Sequence, residues 1–178
     1  MLYMGRDMRS IGRTLAVAAM LAVGGIALGG CATQAMQTAP VPAAKSVFVI
    51  RHFQKGEGAD PSLTAEGAAN AQRLAAMLEE KGVTTVFATP TKRAMETAAP
   101  LAAQLGLAVT PYNPSDPQAL LAAVRNTSGS ALVVGHSNTV PDLVAMFGGA
   151  KPAPLSDSDY GTVYEVEVDG KVVAIPVR

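Results

Sequence analysis

From Ser46 onward the chain alternates short apolar runs with longer amphipathic segments. "SVFVI" (Ser46 to Ile50), "TTVFAT" (Thr84 to Thr89) and "ALVVG" (Ala131 to Gly135) are continuous runs rich in β-branched residues, the pattern of strands buried on both faces. "LAVTPY" is a weaker strand signal. "TAEGAANAQRLAAMLEEKG" places Ala71, Leu74 and Leu78 on one helical face, with Thr64 as N-cap, Glu66 in the first turn and Gly82 closing the segment. "TKRAMETAAPLAAQLG" predicts a second helix, interrupted or kinked at Pro100 because proline lacks the N–H that the helix needs. "PQALLAAVRN" predicts a third with Pro117 in its first turn, and "VPDLVAMFGG" a short fourth. The chain then ends as two alternating runs joined by Asp169-Gly170, a two-residue hairpin signal. Strands that alternate with helices imply an α/β fold, three layers (α/β/α) around a mainly parallel sheet, with an antiparallel hairpin at one edge.

The first thirty residues are of another composition. Arg6, Arg9 and Arg13 form a basic leader, and Thr14 to Gly30 is an apolar, glycine-broken run that is short for a membrane-spanning helix. Leader and run together predict a secretory signal. "LGGC" sets Leu28 three residues before Cys31 and resembles the lipobox of bacterial lipoproteins, which implies cleavage before Cys31 and acylation of that cysteine. A retained membrane anchor and an unlipidated secreted protein are the alternatives. Cys31 is the only cysteine of the chain, which also excludes an internal disulfide. Ala32 to Lys45 is Ala/Pro/Gln/Thr-rich without periodicity and reads as a flexible tether. The expected organisation is a signal at 1–30, a tether at 31–44 and one folded domain at 45–178. Its expected setting is the cell envelope, facing the periplasm, with the outer membrane favoured because Ala32 is not Asp.

Charge narrows the partners. Lys and Arg number 14, balance 14 acidic residues and are scattered, and aromatic residues are 4% of the chain, so the footprint of a nucleic-acid binder is missing.

The chain has two histidines, and both stand directly after buried strands, His52 in "VFVIRH" and His136 in "LVVGH". In a parallel α/β sheet, ligands bind beyond the carboxyl ends of the strands. If these strands are parallel neighbours, Arg51, His52 and His136 emerge at one rim, and Arg93, a turn after the strand ending at Thr89, joins them. Four potential cations in one place repel unless an anion joins them. Guanidinium forks match phosphate oxygens, so Arg51 and Arg93 suit a phosphoryl group, and a neutral imidazole can attack phosphorus in line. Two histidines without a neighbouring Cys or carboxylate pattern are thin coordination for a metal, so neither a metal nor another cofactor is expected.

"RHFQK", "ATPTKRAMETA" and "VVGHSNTVPDL" resemble, in order and spacing, the three signatures of the histidine phosphatase superfamily, whose fold is phosphoglycerate mutase-like. The resemblance covers roughly Lys45 to the C-terminus. It implies that His52 is the nucleophile, that Arg51 and Arg93 bind the phosphoryl group and that His136 donates a hydrogen bond to it. Phe53 stands where members commonly have Gly or Ala and is expected to line the pocket; Lys55 is a candidate phosphate contact. A general acid for the leaving oxygen is harder to find. Asp116 and Glu57 rank equally, Asp60 is a rival, and both Asp116 and Asp142 have capping alternatives. Ser137 and Asn138 are expected to shape the turn after the fourth strand.

The reading is a metal-independent phosphomonoesterase acting on small substrates, aryl phosphates ahead of alkyl ones because Phe53 would offer a flat apolar surface. A phosphate-binding module of the same fold with little turnover, a protein phosphohistidine phosphatase and a mutase are the alternatives, the last disfavoured by the short insertion after the second-Arg helix.

Overall fold

The computed structural model describes residues 46–178, so the expected signal, Cys31 and the tether lie outside the described residues. Six strands form one sheet: β1 (Ser46–Arg51), β2 (Val83–Ala88), β3 (Val109–Pro111), β4 (Ser130–Gly135), β5 (Thr162–Glu167) and β6 (Val172–Pro176). Their order across the sheet is β3-β2-β4-β1-β5-β6, with the first four parallel and the last two joined antiparallel at one edge. Four helices follow the strands in the expected order: α1 (Ala65–Leu78), α2 (Lys92–Gln104), α3 (Pro117–Arg125) and α4 (Val140–Met146).

Both faces of the central strands are covered, as continuous apolar runs require. Phe48 and Ile50 of β1 and Leu132 and Val134 of β4 pack with α1 and α2 through Leu74, Leu78, Ala98 and Leu101. The alternate residues, Val47, Val49, Ala131 and Val133, pack with α3 and α4 through Leu120, Val124, Leu143 and Val144. The fold is therefore three layers around a mainly parallel sheet.

Two local expectations are corrected. α2 runs through Pro100 without interruption. One main-chain hydrogen bond is missing there, but Ala98, Leu101 and Ala102 are buried on both sides of it and hold the helix. The closing hairpin has a three-residue turn, Val168-Asp169-Gly170, between Glu167 and Lys171, which are joined by a hydrogen bond from Glu167 N–H to the Lys171 carbonyl at 2.9 Å. Gly170 at φ 85° takes the left-handed position that such a turn needs.

Thr64 caps α1 by accepting the Gly67 N–H at 3.1 Å, and Thr64 N–H in turn bonds the Gln54 carbonyl at 2.9 Å. This carbonyl lies directly over Gly67, where a Cβ would collide with it. Alanine gains about 1 kcal/mol over glycine in an open helix, whereas overpacking against main chain costs roughly 1–3 kcal/mol. Gly67→Ala is therefore expected to lower the urea unfolding midpoint; an unchanged or higher midpoint would show that the loop after β1 yields freely.

Candidate active site

Register decides what meets at the rim. β1 and β4 pair Ile50 with Val134 and Arg51 with Gly135, so the next residues in each chain, His52 and His136, emerge side by side. Their rings lie 5.2 Å apart between centroids in an edge arrangement. His52 N–H continues the ladder to the Gly135 carbonyl at 3.0 Å. Gly135 is needed here, because a Cβ would come within 2.8 Å of Thr139 Oγ1.

His52 is 3% exposed, and its two ring nitrogens have different partners. Nδ1 donates to the Phe53 carbonyl at 2.7 Å. Nε2 therefore carries the lone pair in the neutral ring, and it accepts from Arg93 Nε at 3.2 Å. Burial pushes the His52 imidazole down from 6.5 to about 4, against the opposing effect of the Phe53 carbonyl, with smaller contributions from His136, Arg93 and Arg51. His136 is likewise pushed down to about 4, first by burial and then by Arg93 and Arg51. Its Nε2 shares a hydrogen bond with Thr89 Oγ1 at 2.9 Å.

The two arginines are used differently. Arg93 is half-buried and joins two groups: its Nε meets His52, and its Nη1 stands 3.5 Å from Asp60 Oδ1. Asp60 Oδ1 also accepts the Lys92 N–H at 3.1 Å, so this carboxylate serves the first turn of α2, whose own N-cap, Thr91, makes no side-chain cap. Arg51 is 5% exposed, and its fork is not free as the sequence suggests. Nη1 donates to the main-chain carbonyls of Ser156 (2.7 Å), Asp157 (3.2 Å) and Asp159 (3.2 Å), and Nη2 donates to Tyr160 Oη (3.1 Å). The guanidinium also lies 4.0 Å from the Tyr160 ring centroid. Only its buried Nε–H finds no acceptor among the described residues.

Phe53 is a correction. Its side chain is fully buried with Phe48, Ile50, Ala71 and Leu74, so it lines the core and offers substrate no surface. The strand ends at Arg51, and the turn that follows sends this ring inward, where burial of an aromatic outweighs exposure at the rim. What Phe53 brings to the site is main chain. Its carbonyl fixes His52, and its N–H donates at 3.1 Å to Thr97 Oγ1, which donates onward to the Arg93 carbonyl at 2.8 Å. The aromatic ring near His52 is that of Tyr160, with centroids 6.1 Å apart.

The remaining candidates are not tied to the imidazoles. Lys55 is exposed, with its main chain bridging Leu63. Glu57 is exposed in the same loop. Asp116 caps α3, accepting the Ala119 N–H at 3.1 Å. Asp142 pairs with Lys151. Of the carboxylates considered as acids, Asp60 is the one linked to the histidine pair, through Arg93. The turn after β4 is pinned by Thr139, which accepts the His136 N–H at 3.0 Å, and not by the side chains of Ser137 or Asn138. Among the described residues no group of three or more His, Cys, Asp or Glu stands together as a metal-ligand set.

A rim built from the ends of parallel strands, bearing paired imidazoles between two guanidiniums, defines an α/β protein of the phosphoglycerate mutase-like class. The model of the histidine phosphatase superfamily, branch 1, matches residues 50–113 of the chain. Over 80 residues the chain is 39% identical to the uncharacterized protein Rv0525 of Mycobacterium tuberculosis strain H37Rv, a match that covers 39% of this chain and 38% of that one. The alignment thus spans about two fifths of the relative's length. Among solved structures, the protein histidine phosphatase SixA complexed with tungstate superposes with a TM-score of 0.57 at 20% identity, over 73% of this chain and 94% of SixA. Mycobacterial glucosyl-3-phosphoglycerate phosphatase Rv2419c, with inorganic phosphate, gives 0.55 at 14% identity, over 76% and 98%. At these identities the structures show a shared fold.

The depressed histidines set a pH dependence. In the unfolded chain each imidazole takes up its proton near 6.5, and in the folded protein only near 4, so the unfolded state binds more protons between these values. Their contribution to stability is complete above about pH 6.5 and is lost as pH falls toward 4. Titration of the two Cε1–H resonances is expected to give midpoints near 4 and none near 6.5. A midpoint near 6.5 for His52 would mean that the ring is solvated.

Proposed function

We propose that this protein is a phosphatase that hydrolyses phosphomonoesters through a phosphohistidine on His52, without a metal. The observation that carries the reading is the fixed tautomer of His52, with Nδ1–H on the Phe53 carbonyl and an unprotonated Nε2 that accepts from Arg93 Nε–H. In the first step Nε2 attacks phosphorus and the bond to the leaving oxygen breaks, the departing oxygen taking a proton from water or an acid at the rim. Water then attacks the phosphohistidine, the N–P bond breaks, and inorganic phosphate leaves with His52 restored to its neutral form. Arg93, the Nε–H of Arg51 and His136 are the groups that offset charge on the phosphoryl oxygens.

A phosphate-binding module with little turnover is the second reading, and one observation favours it. Asp116 is engaged as a helix cap and Glu57 is exposed without a bond to the site, so neither is held as an acid. Hydrolysis of a chromogenic phosphomonoester in the presence of EDTA separates the two.

On the phosphatase reading, His52→Ala removes turnover to background while vanadate still binds. Arg93→Ala weakens vanadate binding and lowers kcat by about 10²-fold or more, the scale of a lost donor to a developing oxyanion. Near-normal turnover in His52→Ala would overturn the covalent route.

The envelope location is part of the same proposal: the resemblance of "LGGC" to a lipobox supports anchoring through Cys31. Cys31→Ser is expected to abolish incorporation of labelled palmitate and globomycin-sensitive processing. Mass spectrometry that finds the chain intact before Cys31 in the wild type would contradict it.

A further inference from the structure

Arg51 and Arg93 are the two cations that meet the phosphoryl group in the proposed reaction, and each already has a carboxylate beside it. Asp60 Oδ1 stands 3.5 Å from Arg93 Nη1, and Asp157 Oδ1 stands 4.0 Å from Arg51 Nη2. Asp159 follows in the same strap, Ser156–Tyr160, its carbonyl accepting from Arg51 Nη1 at 3.2 Å. The Ser156 N–H on its carboxylate, at 2.6 Å, holds Asp159 below the ordinary range, with Arg51 a smaller cause.

Charge around the reacting atom can therefore be counted. The two imidazoles are neutral at pH 7. Arg51 and Arg93 supply two positive charges; Asp60, Asp157 and Asp159 supply three negative ones, all on exposed residues. Among the described residues the buried Arg51 Nε–H has no acceptor, and Arg93, whose Nε donates to His52 Nε2, is the guanidinium in contact with an imidazole. A second anion on the substrate would meet carboxylates. Lys55 and Lys92, the cations of the flanking loops, are exposed and make no ion pair with these groups.

We propose that the Ser156–Tyr160 strap and Asp60 confine this site to phosphomonoesters whose leaving group is neutral or cationic, and that they exclude substrates bearing a second carboxylate or phosphate near the scissile bond. The inference rests on the phosphatase reading and deepens it. It makes phosphorylated hydroxy acids and bisphosphates poor substrates and phosphorylated alcohols or phenols without an acid group good ones. Exposed charges interact only weakly through water, so the three carboxylates together are expected to change kcat/KM by about five- to tenfold at low salt. The effect shrinks as salt screens it.

The test uses the full-length protein and an isosteric pair, 4-(carbamoylmethyl)phenyl phosphate and 4-(carboxymethyl)phenyl phosphate, with the 4-(2-aminoethyl) compound as the cationic member. The expected order of kcat/KM is cationic and neutral above anionic by about five- to tenfold, a gap that closes in 0.5 M NaCl. Asp157→Asn with Asp159→Asn, which keeps the acceptor for Ser156 N–H, should bring the anionic-to-neutral ratio most of the way to one. The corresponding benzylphosphonates, titrated calorimetrically, read the same discrimination as affinity without turnover. An anionic member that equals or beats the neutral one, a ratio unmoved by the double variant, or phosphonates that do not bind would each overturn the inference. Retained affinity order with no hydrolysis of any ester would support the inference and overturn the phosphatase reading instead.

Discussion

The hydrogen bond from His52 Nδ1 to the Phe53 carbonyl is the interaction on which the rest of the site depends. It settles which ring nitrogen carries the proton, and so which one keeps its lone pair. That carbonyl can hold the ring because the Phe53 side chain is locked in the core and its N–H is bonded to Thr97 Oγ1. Thr97 bonds in turn to the Arg93 carbonyl, which ties His52 to the helix that carries Arg93. Thr97 and Phe53 are positioning residues in this sense: the Phe53 ring lies in the core and Thr97 is fully buried, yet both hold the His52 ring in place.

Electrostatics imposes the second constraint. Two imidazoles, one buried and one half-buried, beside two guanidiniums are tolerable because desolvation and the arginines keep both rings neutral. Neutrality serves chemistry as well as stability, since a protonated Nε2 has no lone pair to give. The guanidiniums themselves are held by oxygen atoms, Arg51 by three strap carbonyls and Tyr160, Arg93 by Asp60. Such anchoring fixes their position before substrate arrives and lowers the reorganisation that binding requires.

Much of this was legible in the chain, for identifiable reasons. Buried strands announce themselves as β-branched runs, and a residue directly after a strand must emerge at the sheet's edge, so Arg51, His52 and His136 could be gathered at one rim without coordinates. Thr97 carried a usable signal, a polar residue one turn after Arg93 on the stripe of Ala94, Ala98 and Leu101, and Thr89 stood at a strand end on the same rim. Phe53 was misjudged because nothing local tells where a side chain points once a strand has ended. The strap around Arg51 was illegible for a deeper reason: its contacts span more than a hundred positions, and main-chain carbonyls of any residue type could make them. Asp60 pairs with Arg93 across a loop whose path only the fold determines.

The central claim is that His52 reacts through Nε2 because Nδ1 is held by a main-chain carbonyl. The most direct measurement is to quench the enzyme during turnover of a labelled phosphomonoester under alkaline conditions and to determine, by 31P–15N coupling on isotopically labelled protein, which atom bears the phosphoryl group. The account predicts a phosphoramidate on His52 Nε2 alone. Phosphate on Nδ1, on His136, or on no histidine at all would contradict it.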